Sequence, residues 1–140
     1  MPSLCARRFL ALIVLLALCF SSLVWAADLP PGDQAKQTWQ LLDYLAVDYG
    51  GAVSDGKVQK ASEYEEMKEF AATAAQQLAA LPSTSALPDL QRQAKALGDL
   101  IAAKADAKAV ADSAHALAAA LVKAYPFPLW TAKAQELARD

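Results

Sequence analysis

Carboxylates and tyrosines crowd one stretch of this chain. Asp43 and Asp48 precede Gly50-Gly51, while Glu63, Glu66 and Glu69 follow at intervals of three residues; Tyr44, Tyr49 and Tyr64 stand among them. On a helix, residues three apart share a flank, so the three glutamates line one side beside a Tyr64/Met67 stripe. Like charges so placed repel by roughly a few tenths of a kcal/mol per pair, and a bound cation removes that cost. An all-oxygen donor set suits hard ions such as ferric iron, calcium or magnesium. The same residues carry a second reading. Glu63, Glu65 and Glu66 fall in the first turn of a helix, where acids oppose its dipole and a solvated acidic face needs no ligand.

Other chemistry is poorly supplied. His115 is the single histidine, one place past a core stripe, and reads as a partly exposed helix residue. No nucleophile–base pair can be assembled around it, and no glycine-rich phosphate loop follows a strand, so the chain does not read as an enzyme. Tyr44, Tyr49 and Tyr64 read as core residues whose hydroxyls reach water or a carboxylate.

The elements that must position these groups are helices. Leu29-Pro30-Pro31-Gly32 is an extended lead-in, with Asp33 as N-cap. A first helix is expected over 34–49, with Ala35, Trp39, Leu42, Leu45, Ala46 and Tyr49 on one face, stopped by Gly50-Gly51. An elbow over 52–60 turns at Asp55-Gly56 between Val53 and Val58, which permits a very short hairpin. A second helix begins at Ser62, whose spacing to Glu65 makes a capping box. Its stripe is Tyr64, Met67, Ala71, Ala74, Leu78 and Leu81, and Pro82 to Ser85 break the chain.

A third helix over 88–104 turns Leu90, Ala94, Leu97 and Ile101 inward. Asp106 caps a fourth, which runs to Tyr125 with Val110, Ala114, Leu117 and Leu121 inward. Residues 103–108 would also support one continuous helix. Pro126-Phe127-Pro128 ends the fourth helix. Four helices with short links imply an all-α, up-down four-helix bundle. Alanines allow close approach but bury little area, so Trp39, Phe70 and the leucines must supply most of the stability.

The N-terminus reads as a secretory signal. Arg7 and Arg8 precede an unbroken apolar run from Phe9 to Phe20, and small residues lead to cleavage after Ala26, with Ala27 as second choice. The run is shorter than the ~20 residues a spanning helix needs. Cys19 follows Leu18, where a lipobox needs a small residue. Cys5 and Cys19 both leave with the signal, so the fold rests on burial, with no disulfide, thiolate metal site or Cys-x-x-Cys-His haem attachment. Loss of Arg7 and Arg8 makes the formal charge of −2 more negative still, which argues against nucleic acid. The domain expectation is a signal peptide over 1–26, a periplasmic bundle over 27–125 and a tail or linker over 126–140. In that tail, Trp130 reads equally as a docking element or as a side chain folded over the bundle end.

Leu42-Asp43-Tyr44, Asp48-Tyr49-Gly50-Gly51-Ala52-Val53, Asp55-Gly56-Lys57-Val58 and Glu63-Tyr64-Glu65-Glu66-Met67-x-Glu69-Phe70 resemble the periplasmic N-terminal region of bacterial high-affinity iron permeases, some described as iron/lead permeases. In that family the region is often followed by a c-type cytochrome domain and then a multi-helix membrane permease. Ala124 to Leu129 and Glu136 to Asp140 resemble the linker before the cytochrome domain. The sequence departs from the longer proteins in lacking Cys-x-x-Cys-His and the Arg-Glu-x-x-Glu transport signature. Glu65-Glu66-Met67-Lys68-Glu69 echoes that spacing with Glu in place of Arg, on a soluble helix, so the transport role is not carried onto it.

The resemblance implies an exported accessory domain, encoded alone or truncated from a longer protein. It would serve uptake of iron or another divalent metal by capturing the ion or by organising a membrane permease and its c-type cytochrome partner. Its location would be the periplasm, free or held at the membrane through a partner or an uncleaved signal. No haem and no small-molecule substrate are expected. The candidate metal ligands are Asp43, Asp48, Glu63 and Glu66 around the elbow, with Asp48 and Glu63 the nearest pair. The rival expectation is a ligand-free protein-interaction module.

Overall fold

A proline pair starts the first helix. In the structure, a computed structural model that describes residues 29–128, α1 spans Pro31–Ala52 with Pro30 at its N-cap. Pro31 suits the first helical position because its missing N–H would be unpaired there in any case. Asp33 is therefore not the cap; it lies inside the first turn, where its charge opposes the helix dipole. Gly50-Gly51 do not end the helix either. It continues through Ala52 and stops where Val53 turns extended.

The left-handed residues lie further on, at Asp55 (φ 52°) and Gly56 (φ 69°). Two consecutive positive φ values make the tight hairpin turn for which Asp-Gly is favoured. It joins β1 (Val53–Ser54) to β2 (Lys57–Val58), antiparallel, with Val53 opposite Val58. The Gln59 N–H donates to the Ala52 carbonyl at 2.8 Å and closes the reversal.

α2 spans Ala61–Ala79 with Lys60, extended, at the N-cap and no side-chain cap. The expected Ser62–Glu65 capping box is not formed, because the hairpin delivers an extended Lys60 and the helix starts before Ser62. Glu65 instead pairs with Lys68 at 2.8 Å. α3 spans Leu87–Ala102 and α4 spans Ala107–Ala124. The break between them is real. The Ala105 N–H reaches the Leu100 carbonyl and the Lys104 N–H the Ile101 carbonyl, around a left-handed Lys104 (φ 53°). This is a Schellman ending with lysine where glycine is usual. Asp106 then caps α4 as expected, accepting from the Ala109 N–H at 3.0 Å.

The helices close into a ring: α1 packs on α2 and α4, and α3 bridges the other two. The expected inward residues of α2, α3 and α4 are all buried. On α1, Ala35, Leu42, Leu45 and Tyr49 are buried, but Trp39 and Ala46 are only partly so. Trp39 meets Phe127 edge to face at 6.4 Å, so the chain just beyond α4 packs back on α1. Phe70 is also half-buried. Burial falls mainly to leucines, Ile101, Met67, Tyr49 and the alanines. The signal expectation and Trp130 lie outside the described residues. No described helix is long and apolar enough to cross a membrane.

Tyrosine hydroxyls fasten the links. Tyr49 donates to the Ala105 carbonyl at 2.7 Å, and Tyr64 to the Ile101 carbonyl at 3.0 Å, with the Ala102 carbonyl at 3.4 Å. At the other end, Tyr125 binds the Pro82 carbonyl and lies 3.3 Å from the Thr84 hydroxyl. Thr38, the buried polar side chain among the described residues, bonds Gln77 Oε1 across α1 and α2 at 2.9 Å.

Two predictions follow from this packing. A Cβ on Gly50 would stand 3.2 Å from the Ala107 Cβ, tighter than ordinary contact. Gly50→Val should therefore cost about 1–3 kcal/mol in urea unfolding, as overpacking does. Burial, then the neighbouring Tyr64 and Asp106, raise the Tyr49 ionisation above its usual value. The fold thus holds that proton more tightly than the unfolded chain does. Stability is full below pH ~10 and falls as pH rises through the folded-state value. Tyr49→Phe should lose about 1 kcal/mol at neutral pH, with less further loss on the alkaline side in denaturation curves between neutral and strongly alkaline pH.

Candidate functional site

The hairpin lays the last turns of α1 beside the first turns of α2, and a cleft of about 360 Å³ opens between them. α1 contributes Tyr44 and Asp48, one turn apart, with Val47 and Gly51. α2 contributes Glu63, Glu66 and Met67, and Lys60 stands at its cap. Asp48 and Glu63 are half-buried and Glu66 is exposed. The Lys60 ammonium donates to Glu63 Oε1 at 2.9 Å. The other oxygen, Oε2, faces Gly51, where an added Cβ would come within 3.7 Å. Glycine there leaves the floor of the cleft open above Glu63.

Tyr44 differs from the other described tyrosines. It is 43% exposed and makes no hydrogen bond to a helix link; its ring packs edge to face on Phe70 at 5.2 Å. Its hydroxyl stands in the field of the acids. Asp48 first, then Glu66, then slight desolvation and Glu63 push its ionisation above the usual tyrosine value. Without a cation the group is a neutral hydrogen-bond donor. A cation among the carboxylates would offset that field and reverse the direction.

Of the four sequence-expected ligands, Asp48, Glu63 and Glu66 line this cleft. Asp43 is exposed and not among the residues that line it. Among the described residues, no three of His, Cys, Asp or Glu converge closely enough to enclose a metal ion. The arrangement is an open acidic trough, closed on one side by Lys60 and edged by a phenol. It can attract a hydrated cation or the ammonium or guanidinium of a partner. It does not form a preset coordination shell. His115 is exposed, as expected. Lys60 was not anticipated as the counter-charge, although its three-residue spacing to Glu63 was the signal available for it.

The fold is a four-helix bundle with this trough at the end reached by the hairpin. A family model described as the iron permease-associated 4-helix bundle domain matches residues 30–128, and the chain belongs to that family. It is not an enzyme family. No curated protein and no solved structure matches the chain.

The electrostatics give a direct check. Asp48→Asn should bring the Tyr44 ionisation down toward the usual value, because Asp48 is the largest contributor. Ring-carbon NMR shifts followed against pH read it. An unchanged Tyr44 curve would mean that the acids do not surround the hydroxyl.

Proposed function

We propose that this domain is the exported accessory part of an iron permease system and that its acidic trough holds iron briefly on the way to the permease. Family membership supports the association with an iron permease. The observation that carries the metal reading is the meeting of Asp48, Glu63, Glu66 and the Tyr44 hydroxyl in one open cleft. All the donors are oxygen, which suits ferric iron or another hard cation. The carboxylates do not enclose a site, so the ion keeps much of its water and exchanges quickly. Such weak holding fits hand-over rather than storage. Lys60 competes for Glu63, so a cation must displace an internal ammonium. The location that goes with this role is the periplasm, free or held at the permease's membrane through a partner, and a c-type cytochrome is the electron-transfer partner the system would need.

A second reading is a ligand-free interaction module that organises the permease and its partner. The absence of a preset ligand cluster among the described residues favours it.

Calorimetric titration separates the two. The chain from residue 27 onward is titrated with ferrous iron and with a soluble ferric chelate, against calcium and magnesium controls. The metal reading predicts iron-selective binding at micromolar or weaker affinity, with a rise in Tm, because a ligand that binds only the folded state stabilises it. Asp48→Asn with Glu63→Gln should abolish both without unfolding the bundle. No heat and no change in Tm would leave the interaction module as the function.

A further inference from the structure

The large apolar side chains exposed among the described residues are Leu29, Tyr44 and Val47, the last 71% exposed. They are not scattered. All three line one furrow along the outer seam of α1 and α2. Three adjoining depressions make it up. The first, at the Pro30–Pro31 end, shares Gln37 and Gln77 with the middle one, and the middle one shares Tyr44 with the acidic trough. Half-buried Leu41 and Phe70 line its middle. The charge along it is graded. Asp48, Glu63 and Glu66 crowd one end around a single Lys60, whereas the lining of the other two depressions carries no charged side chain. There the polar groups are glutamines and Thr73, which bond either way without an ionic preference.

We propose that this furrow docks an amphipathic helix of a partner protein, with lysine or arginine at one end and an uncharged, apolar-faced remainder. The apolar ridge supplies area, and the graded charge fixes the partner's direction, since only one end can meet the acids. α1 is 22 residues long, about 33 Å at helical rise, so the furrow accommodates a partner helix of roughly 15–20 residues. Exposed apolar side chains gathered on one face mark such a contact more often than scattered ones do. The proposal goes beyond the iron reading and does not rest on it. The apolar middle of the furrow lies outside the acidic trough, so Leu41, which lines only that middle, reports docking alone.

The test uses the purified full chain and three synthetic helical peptides of about 16 residues, or ~24 Å. One has a leucine stripe and two lysines at one end; one has glutamates in place of the lysines; one has the stripe scrambled. Fluorescence anisotropy gives Kd, and backbone-amide NMR gives the location. The lysine peptide should bind, with shifts at Leu41, Tyr44, Val47 and Phe70, and the other two at least roughly tenfold more weakly. Leu41→Asn should weaken the lysine peptide by a similar factor while leaving any iron titration unchanged, since Leu41 lines the middle depression and not the trough; a control change at exposed Lys95 on α3 should do nothing. Equal binding of the three peptides, or insensitivity to Leu41→Asn, overturns the proposal. So does self-association in sedimentation that disappears in Leu41→Asn, which would make the occupant a second copy. Binding that emerges only after removal of residues 129–140 would make it the chain's own tail, and overturns the proposal as well.

Discussion

Hydroxyl-to-carbonyl bonds from buried tyrosines hold the two ends of this bundle, and the cleft depends on them. Helix ends leave backbone carbonyls without intrahelical partners. Tyr64, on α2, reaches across to the freed carbonyls at the end of α3, and Tyr49, on α1, takes the Ala105 carbonyl in the link. Each bond gives a buried tyrosine hydroxyl the partner without which its burial would be costly. Together they fix the last turns of α1 and the first turns of α2 to a common support. The residues one flank away, Tyr44, Asp48, Glu63 and Glu66, therefore face each other from a braced frame. Tyr125 does the same work at the far end with the Pro82 carbonyl.

The frame matters because the rest of the core is soft in chemistry and tight in geometry. Ala35, Ala71, Ala74, Ala94 and Ala114 bury little area each, but let the helices approach closely. Gly50 belongs to this logic: it allows α1 to meet the start of α4 at Ala107. The Thr38–Gln77 bond adds a directional tie between α1 and α2 in a packing that alanines alone would let slide.

Much of this was readable from the sequence, and the errors have physical reasons. The three- and four-residue stripes of α2, α3 and α4 named their buried residues, because burial on one face imposes the helical period. Asp106 and the Asp55-Gly56 turn were legible because each local motif has few alternatives. Gly50-Gly51 misled, since a glycine needed for close approach looks the same in sequence as one needed for positive φ. The Ser62 box failed because the preceding strand set where α2 begins. Asp43 stands five residues before Asp48, about 140° away around the helix, so the period could have separated them. The Thr38–Gln77 pair and the single furrow holding Leu29, Tyr44 and Val47 join residues far apart in sequence, which no local pattern reports.

In the proposed function, the braced end of the bundle presents Asp48, Glu63 and Glu66 to iron. Anomalous diffraction at the iron absorption edge, on crystals soaked in a soluble ferric chelate, tests it most directly. The account predicts a peak in the trough between α1 and α2, within reach of these carboxylates and Tyr44, that is lost in the Asp48→Asn, Glu63→Gln protein. An empty trough, or iron bound instead beside Asp43 or elsewhere on the surface, would contradict it.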